Sequence, residues 1–210
     1  MNVSNKNISS KLLISSLIIV PLIIIFVIII CRHAVVPTNE EIVDNLKNLK
    51  CYSSTVEYEF KNEKVDFKEK TKQYYENEKG LRIEFNDEGD RVKVYKGGEI
   101  KVKDNDDEYS LDKGMDVVYP LAFLENIFSN IVDSNNIEEI KSEWNDDIYL
   151  KVNLEYNSKN KHLNNAEFYV DKNTGAPVML KVYDINKKER IILKYTDFKE
   201  EKQLSDELFW

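Results

Sequence analysis

The chain has 210 residues, with 30 Lys and Arg against 38 Asp and Glu, a length suited to one domain or to one domain plus an anchor. Three of the bases (Lys6, Lys11, Arg32) and none of the acids precede Thr38, so the remainder carries a formal charge of −11. That charge speaks against nucleic acid as a partner, since phosphate backbones need a basic face, and against electrostatic docking on an anionic membrane; it suits solubility or a basic partner.

The N-terminal segment comes first. Leu12 to Ile30 is 19 residues without a charge, dominated by Ile, Leu and Val. That is long enough to span a bilayer as a helix. Lys6 and Lys11 precede it, which places the N-terminus in the cytoplasm and Thr38 to Trp210 outside. Three fates fit: an uncleaved single-pass anchor (the favoured one), lipidation at Cys31, or cleavage and secretion. Ile28, Ile29 and Ile30 stand where a lipobox has a small residue before the cysteine. The expected division is residues 1–37 as cytoplasmic stub, anchor and linker, and residues 38–210 as an extracytoplasmic domain.

Thr38-Asn39-Glu40-Glu41 has the form of a capping box, and Ile42, Leu46 and Leu49 follow at helical spacing with Val43 beside them. A helix of about three turns is expected there. The period then switches to two. Tyr52, Ser54, Val56, Tyr58 and Phe60 alternate with polar residues, as do Leu81, Ile83 and Phe85, then Val92 and Val94, then Ile100 and Val102. Val65 and Phe67 continue the theme. These are half-buried antiparallel strands, with Gly97-Gly98 and the Asn86 to Asp90 run as turns.

Met115 to Val132 breaks the alternation. Leu121, Leu124, Phe128 and Ile131 recur at helical spacing, Phe123 and Ile127 widen the stripe, and Pro120 suits a first helical turn. Strands resume at Ile137 to Trp144, Ile148 to Tyr156, Ala166 to Asp171, Pro177 to Tyr183 and Arg190 to Tyr195. The expected fold is α+β: about eleven antiparallel strands in one open sheet that curls, with helices on its concave side.

The order of elements, and the blocks Phe168-Tyr169-Val170-Asp171, Thr174-Gly175-Ala176-Pro177, Val182-Tyr183-Asp184, Tyr195-Thr196-Asp197-Phe198 and Leu204 to Phe209, resemble the lipoprotein-carrier (LolA-like) superfamily of open half-barrels. Within it, Leu46 to Ser53, Tyr119 to Phe123 and His162 to Asp171 look most like the clostridial spore-germination lipoprotein family (GerS-like). That resemblance implies a non-catalytic, membrane-attached protein of the spore envelope. It would bind and support a zinc-dependent N-acetylmuramoyl-L-alanine amidase that makes muramic-lactam in cortex peptidoglycan.

The chemistry-bearing residues agree with a non-enzymatic reading. The two histidines are His33, in the N-terminal segment, and His162, in a Lys/Asn-rich turn. There is no H-x-x-x-H zinc pattern, no G-x-S-x-G elbow and no phosphate loop, so neither a metal nor a cofactor is expected. Asp104 to Glu108 lacks the central Gly and distal Glu of a calcium loop. Nothing singles out two carboxylates for glycoside cleavage. Of two cysteines, Cys31 is the candidate lipidation site and Cys51 stands alone in the domain, so no disulfide framework exists there.

The stripe of Tyr119, Leu121, Phe123, Leu124, Ile127, Phe128 and Ile131 has three readings: core packing, the lining of a concave groove for an acyl chain, or a partner surface. The corresponding functions are amidase partner or, alternatively, lipid or lipoprotein carrier. Free sheet edges add a route to a homodimer. An envelope-stress sensor is the third reading, weakened by a cytoplasmic stretch of only Met1 to Lys11.

Overall fold

The computed structural model describes residues 19–28, 36–62, 66–85, 91–131, 137–141, 147–156 and 160–210. The chain falls into two units, residues 1–38 and residues 39–210. In the first, residues 19–28 are helical. Among the described residues no helix is long and apolar enough to cross a membrane. Residues 12–18, 29 and 30 of the expected anchor, and Cys31, lie outside the described residues.

The second unit opens with α1 (Asn39–Lys47), which buries Ile42, Val43 and Leu46 and leaves its acids to solvent. The strands follow in chain order: β1 (Cys51–Phe60), β2 (Phe67–Glu76), β3 (Gly80–Phe85), β4 (Val92–Lys96), β5 (Glu99–Asp104) and β6 (Asp107–Asp112). After the helical segment that holds α2 (Leu124–Ser129) come β7 (Ile137–Lys141), β8 (Ile148–Glu155), β9 (Asn165–Asp171), β10 (Pro177–Tyr183) and β11 (Glu189–Glu200). Among the described residues they form one sheet of 11 strands in the order β6-β5-β4-β3-β2-β1-β11-β10-β9-β8-β7. Every pairing is antiparallel. The expected open antiparallel sheet of eleven strands is what folds.

In each half the strands pair with their chain neighbours as a meander, and the halves meet where β1 pairs with β11. The register puts one set of side chains on one face. Val56 faces Tyr195, Tyr58 faces Leu193, Leu193 faces Leu180, and Leu180 faces Phe168. On the other side Tyr75 faces Tyr52, Leu81 faces Tyr75, Tyr95 faces Leu81 and Ile100 faces Tyr95. All of these are buried and form the core together with Ile42, Val43, Leu46, Leu121, Phe123, Leu124 and Ile127. The helical segments therefore cover the dry face of the sheet. The opposite face carries most of the lysines and glutamates that the alternation assigned to solvent. β4 is inverted: Val92 and Val94, expected on the dry side, lie on this face, and Lys93 and Tyr95 on the dry one.

Two further expectations differ from the structure. β11 runs on to Glu200, past the expected end at Tyr195. A one-residue bulge resets its register, with Ser53 opposite Lys199 but Thr55 opposite Thr196, and Asp197 takes φ 52°. The bulge turns Phe198 to the core side, where its ring lies 5.4 Å from that of Tyr52. The stretch from Met115 to Val132 is not one helix either. Lys113–Met115 and Tyr119–Ala122 are single 3-10 turns, Phe123 is extended (φ −80°, ψ 135°), and α2 covers only Leu124–Ser129.

Candidate binding surfaces

The break at Phe123 has a physical origin and a consequence. Pro120 cannot donate a backbone hydrogen bond and sits in the first turn of the 3-10 helix. An extended residue between two short helices leaves carbonyls and amides without helical partners, and those groups are buried here. Three tyrosines of β1 and β11 supply the missing bonds. Tyr58 donates to the Tyr119 carbonyl at 2.6 Å, Tyr195 donates to the Ala122 carbonyl at 2.7 Å, and the Leu124 amide donates to the Tyr52 hydroxyl at 3.0 Å. The Pro120 carbonyl already accepts from the Phe123 amide at 3.1 Å, and Asn126 adds a second bond by donating to it at 2.6 Å. Burial pushes all three tyrosine hydroxyls well above their ordinary pKa, so they stay neutral.

Beside this segment lies a polar layer on the dry face of β2 and β4. Glu69, 3% exposed, accepts from the Tyr119 hydroxyl and pairs with Arg91. Asp116 pairs with Lys93 at 2.6 Å and accepts from the Tyr95 hydroxyl at 2.7 Å. Its other oxygen accepts from the amides of Val118 and Tyr119, at 3.3 Å each. The Lys93 ammonium stands 4.7 Å from the centre of the Tyr119 ring, and Phe85 meets that ring edge-on at 4.9 Å. Gln73 donates to Tyr58 at 2.7 Å. Each carboxylate thus has its own cation, as burial requires. The layer works as a clamp on Tyr119. Burial, then the neighbouring Glu69, raise the Tyr119 hydroxyl pKa, which keeps it a donor.

The opposite face holds an open cleft of about 580 Å³. A cross-strand row forms its floor: Glu84 faces Val92, Val92 faces Lys103, and Lys103 faces Glu108. Arg82 donates to Glu84 at 2.8 Å and to the Leu208 carbonyl at 2.9 Å, and its guanidinium lies 4.9 Å from the centre of the Trp210 ring. Trp210 and Glu207 form the wall, carried by the 3-10 turn Asp206–Phe209. Lys79 fixes that tail through Asp206 at 2.7 Å and the Leu204 carbonyl at 2.6 Å.

The predicted stripe residues are brought together on the dry face. Leu121, Phe123, Leu124 and Ile127 are buried, while Tyr119, Phe128 and Ile131 are half-buried and pack against the same core. Cys51 is buried, with its sulfur 3.8 Å from Glu76 Oε2; burial and that carboxylate raise its pKa, which favours the unreactive thiol. His162 is exposed, its amide bonded to Asn160 Oδ1 at 3.0 Å. Among the described residues no three His, Cys, Asp or Glu are placed to hold a metal ion. Sequence reasoning missed the polar layer and the outer cleft. Inward Glu69, Thr71 and Gln73 look like the solvent side of a strand, and only the alternation with Lys68, Lys70 and Lys72 could have exposed them.

The family pattern described as Sporulation protein YdcC-like matches residues 10–209. The chain belongs to that family. The sporulation reading of the sequence blocks is therefore borne out at family level. No curated protein matches the chain. Among solved structures, an uncharacterized conserved protein from Thermus thermophilus shares the fold, with a TM-score of 0.51 and 14% identity over 80% of this chain and 91% of that one. The CwlD amidase of Clostridioides difficile in complex with the GerS lipoprotein gives 0.46 and 21%, over 79% and 97%. LolA superfamily protein NE2245 from Nitrosomonas europaea gives 0.42 and 11%, over 83% and 98%.

Proposed function

We propose that this YdcC-like protein is a non-catalytic, membrane-attached half-barrel of the spore envelope that binds a cell-wall N-acetylmuramoyl-L-alanine amidase and supports its action on cortex peptidoglycan. The observation that carries the reading is the sporulation-family match over residues 10–209, together with the germination-lipoprotein resemblance of Leu46 to Ser53, Tyr119 to Phe123 and His162 to Asp171. The state of the dry face supports a partner protein over an acyl chain. Phe123 and Ile127, which a carrier would turn toward its lipid, are fully buried in the core. A lipid site needs exposed apolar walls, and these side chains spend theirs on packing.

Co-purification with the amidase tests the proposal directly, together with amidase activity measured with and without this protein. A stable complex and raised activity are expected. Absence of a complex with unchanged activity, or normal muramic-lactam in the cortex of a deletion strain, would sink it. Co-purifying acyl lipid would favour the carrier reading instead.

A further inference from the structure

The two edges of the sheet differ in chemistry. On β7, Glu138 pairs with Lys151 at 2.8 Å, and Glu139 accepts from Asn39 at 2.8 Å and pairs with Lys172. β6 reads Asp107-Glu108-Tyr109-Ser110-Leu111-Asp112, with Leu111 half-buried and the other five residues exposed. It holds no lysine, no proline and no register shift, three of the devices that blunt an open edge, and its charges, Asp107, Glu108 and Asp112, are all acidic. Among the described residues Glu108 makes no ion pair, and Asp112 only caps the Gly114 amide at 2.8 Å.

Register decides which backbone groups are free. Asp104 faces Asp107 across the two-residue turn Asn105-Asp106, with Asn105 at φ 54°. Such a hairpin closes on a hydrogen-bonded pair, and these pairs alternate along the ladder. They recur at Val102 with Tyr109 and at Ile100 with Leu111, and the series continues in the Lys113 amide donating to the Gly98 carbonyl at 3.0 Å. Glu108, Ser110 and Asp112 fall between, so their N–H and C=O groups point away from β5. Their side chains share the outer face, where Glu108 ends the row of the cleft floor. Tyr109 and Leu111 share the dry face with Val102 and Ile100.

We propose that the β6 edge receives an extended segment of a partner protein by strand addition, and that this segment alternates basic and apolar side chains. Opposite charges directly across a strand pair are favourable, so the positions beside Glu108 and Asp112 take Lys or Arg. The positions beside Tyr109 and Leu111 take apolar side chains, which extend the dry face by one strand. Main-chain bonds supply the affinity and the alternation supplies the choice of partner. The −11 charge of the unit draws such a segment in from a distance. This edge chemistry stands whichever protein supplies the segment.

The test is titration of the full chain with a fluorescent peptide of alternating Lys and Val, against its Glu and Val counterpart. Ser110→Pro removes the central outward N–H and no β5–β6 bond. Glu108→Lys reverses the charge beside it and serves as an independent second variant. The Lys/Val peptide is expected to saturate the wild-type chain, to bind about tenfold more weakly to each variant, and to weaken with salt. Both variants keep the wild-type circular dichroism. Equal binding of the Glu/Val peptide, undiminished binding to Ser110→Pro, or no saturable binding would overturn the proposal. So would self-association of the chain that Ser110→Pro abolishes, since that assigns the edge to a second copy.

Discussion

Tyr58 on β1 donates its hydroxyl hydrogen to the backbone carbonyl of Tyr119 at 2.6 Å, and the same hydroxyl accepts from Gln73 at 2.7 Å. One buried side chain thereby ties the helical segment to two strands. Tyr58→Phe keeps the ring and removes both bonds, one of them to a part-buried carbonyl. A loss of about 1–3 kcal/mol is expected in urea unfolding, with secondary structure unchanged. Tyr195→Phe, which frees the Ala122 carbonyl, should behave alike.

Most of this architecture is written as alternation. β1, β3, β5 and β8 to β10 each put apolar residues at every second position on the dry face, Ser54 of β1 apart, and their limits follow from Gly, Asn and Asp turns. β2 and β4 are the exceptions: β2 buries Glu69, Thr71 and Gln73, and β4 turns Lys93 to the dry face. Glu69 is tolerated only because Arg91 and Tyr119 arrive from positions 22 and 50 residues away, and Thr71 and Gln73 because Val56 and Tyr58 of β1 accept their bonds. No local pattern encodes such a meeting. The break at Phe123 escaped for the same reason, since the tyrosines that make it tolerable lie on β1 and β11.

Phe123 is the anchor of the helical segment, fully buried although its backbone is extended. Phe123→Ala is expected to cost about 3–5 kcal/mol, from lost burial plus the cavity left behind. Phe128 is only half-buried, with its ring 6.1 Å from that of Phe168, so Phe128→Ala should cost clearly less. The order of the two urea midpoints checks the packing. If Phe128→Ala were the more damaging, the segment would sit differently on the sheet.

Glu59 gives the fold a defined acid response. Lys61 at 2.8 Å, Lys68 at 3.3 Å and Lys194 at 3.5 Å surround its carboxylate. The hydrogen bond from Lys61 leads in holding its pKa at about 2, against an ordinary 4.5. A pKa lowered in the folded state means the folded chain releases this proton more readily than the unfolded chain. Its stabilising effect is therefore full above pH 4.5 and disappears as the pH falls toward 2. Glu59→Gln should flatten the urea midpoint against pH over that window and lower it at neutral pH. An unchanged slope would show that the three lysines do not act on Glu59 in solution.

Gly80 is where β3 starts beside β4. Its φ is +106°, and a Cβ built there would lie 2.3 Å from the Tyr95 carbonyl oxygen. That oxygen is backbone and cannot step aside without parting the two strands. Gly97 also has a positive φ, +61°, but a Cβ there meets nothing within 4 Å. Gly97→Ala should therefore cost only the conformational strain, about 1 kcal/mol. Gly80→Ala adds the clash to that strain and should exceed it by at least about 1 kcal/mol. Because β4, β5 and β6 hang from this junction, its amides and theirs should exchange faster in Gly80→Ala, while those of β8 to β10 keep their protection. Uniform loosening of both halves would mean that the sheet yields as one cooperative unit.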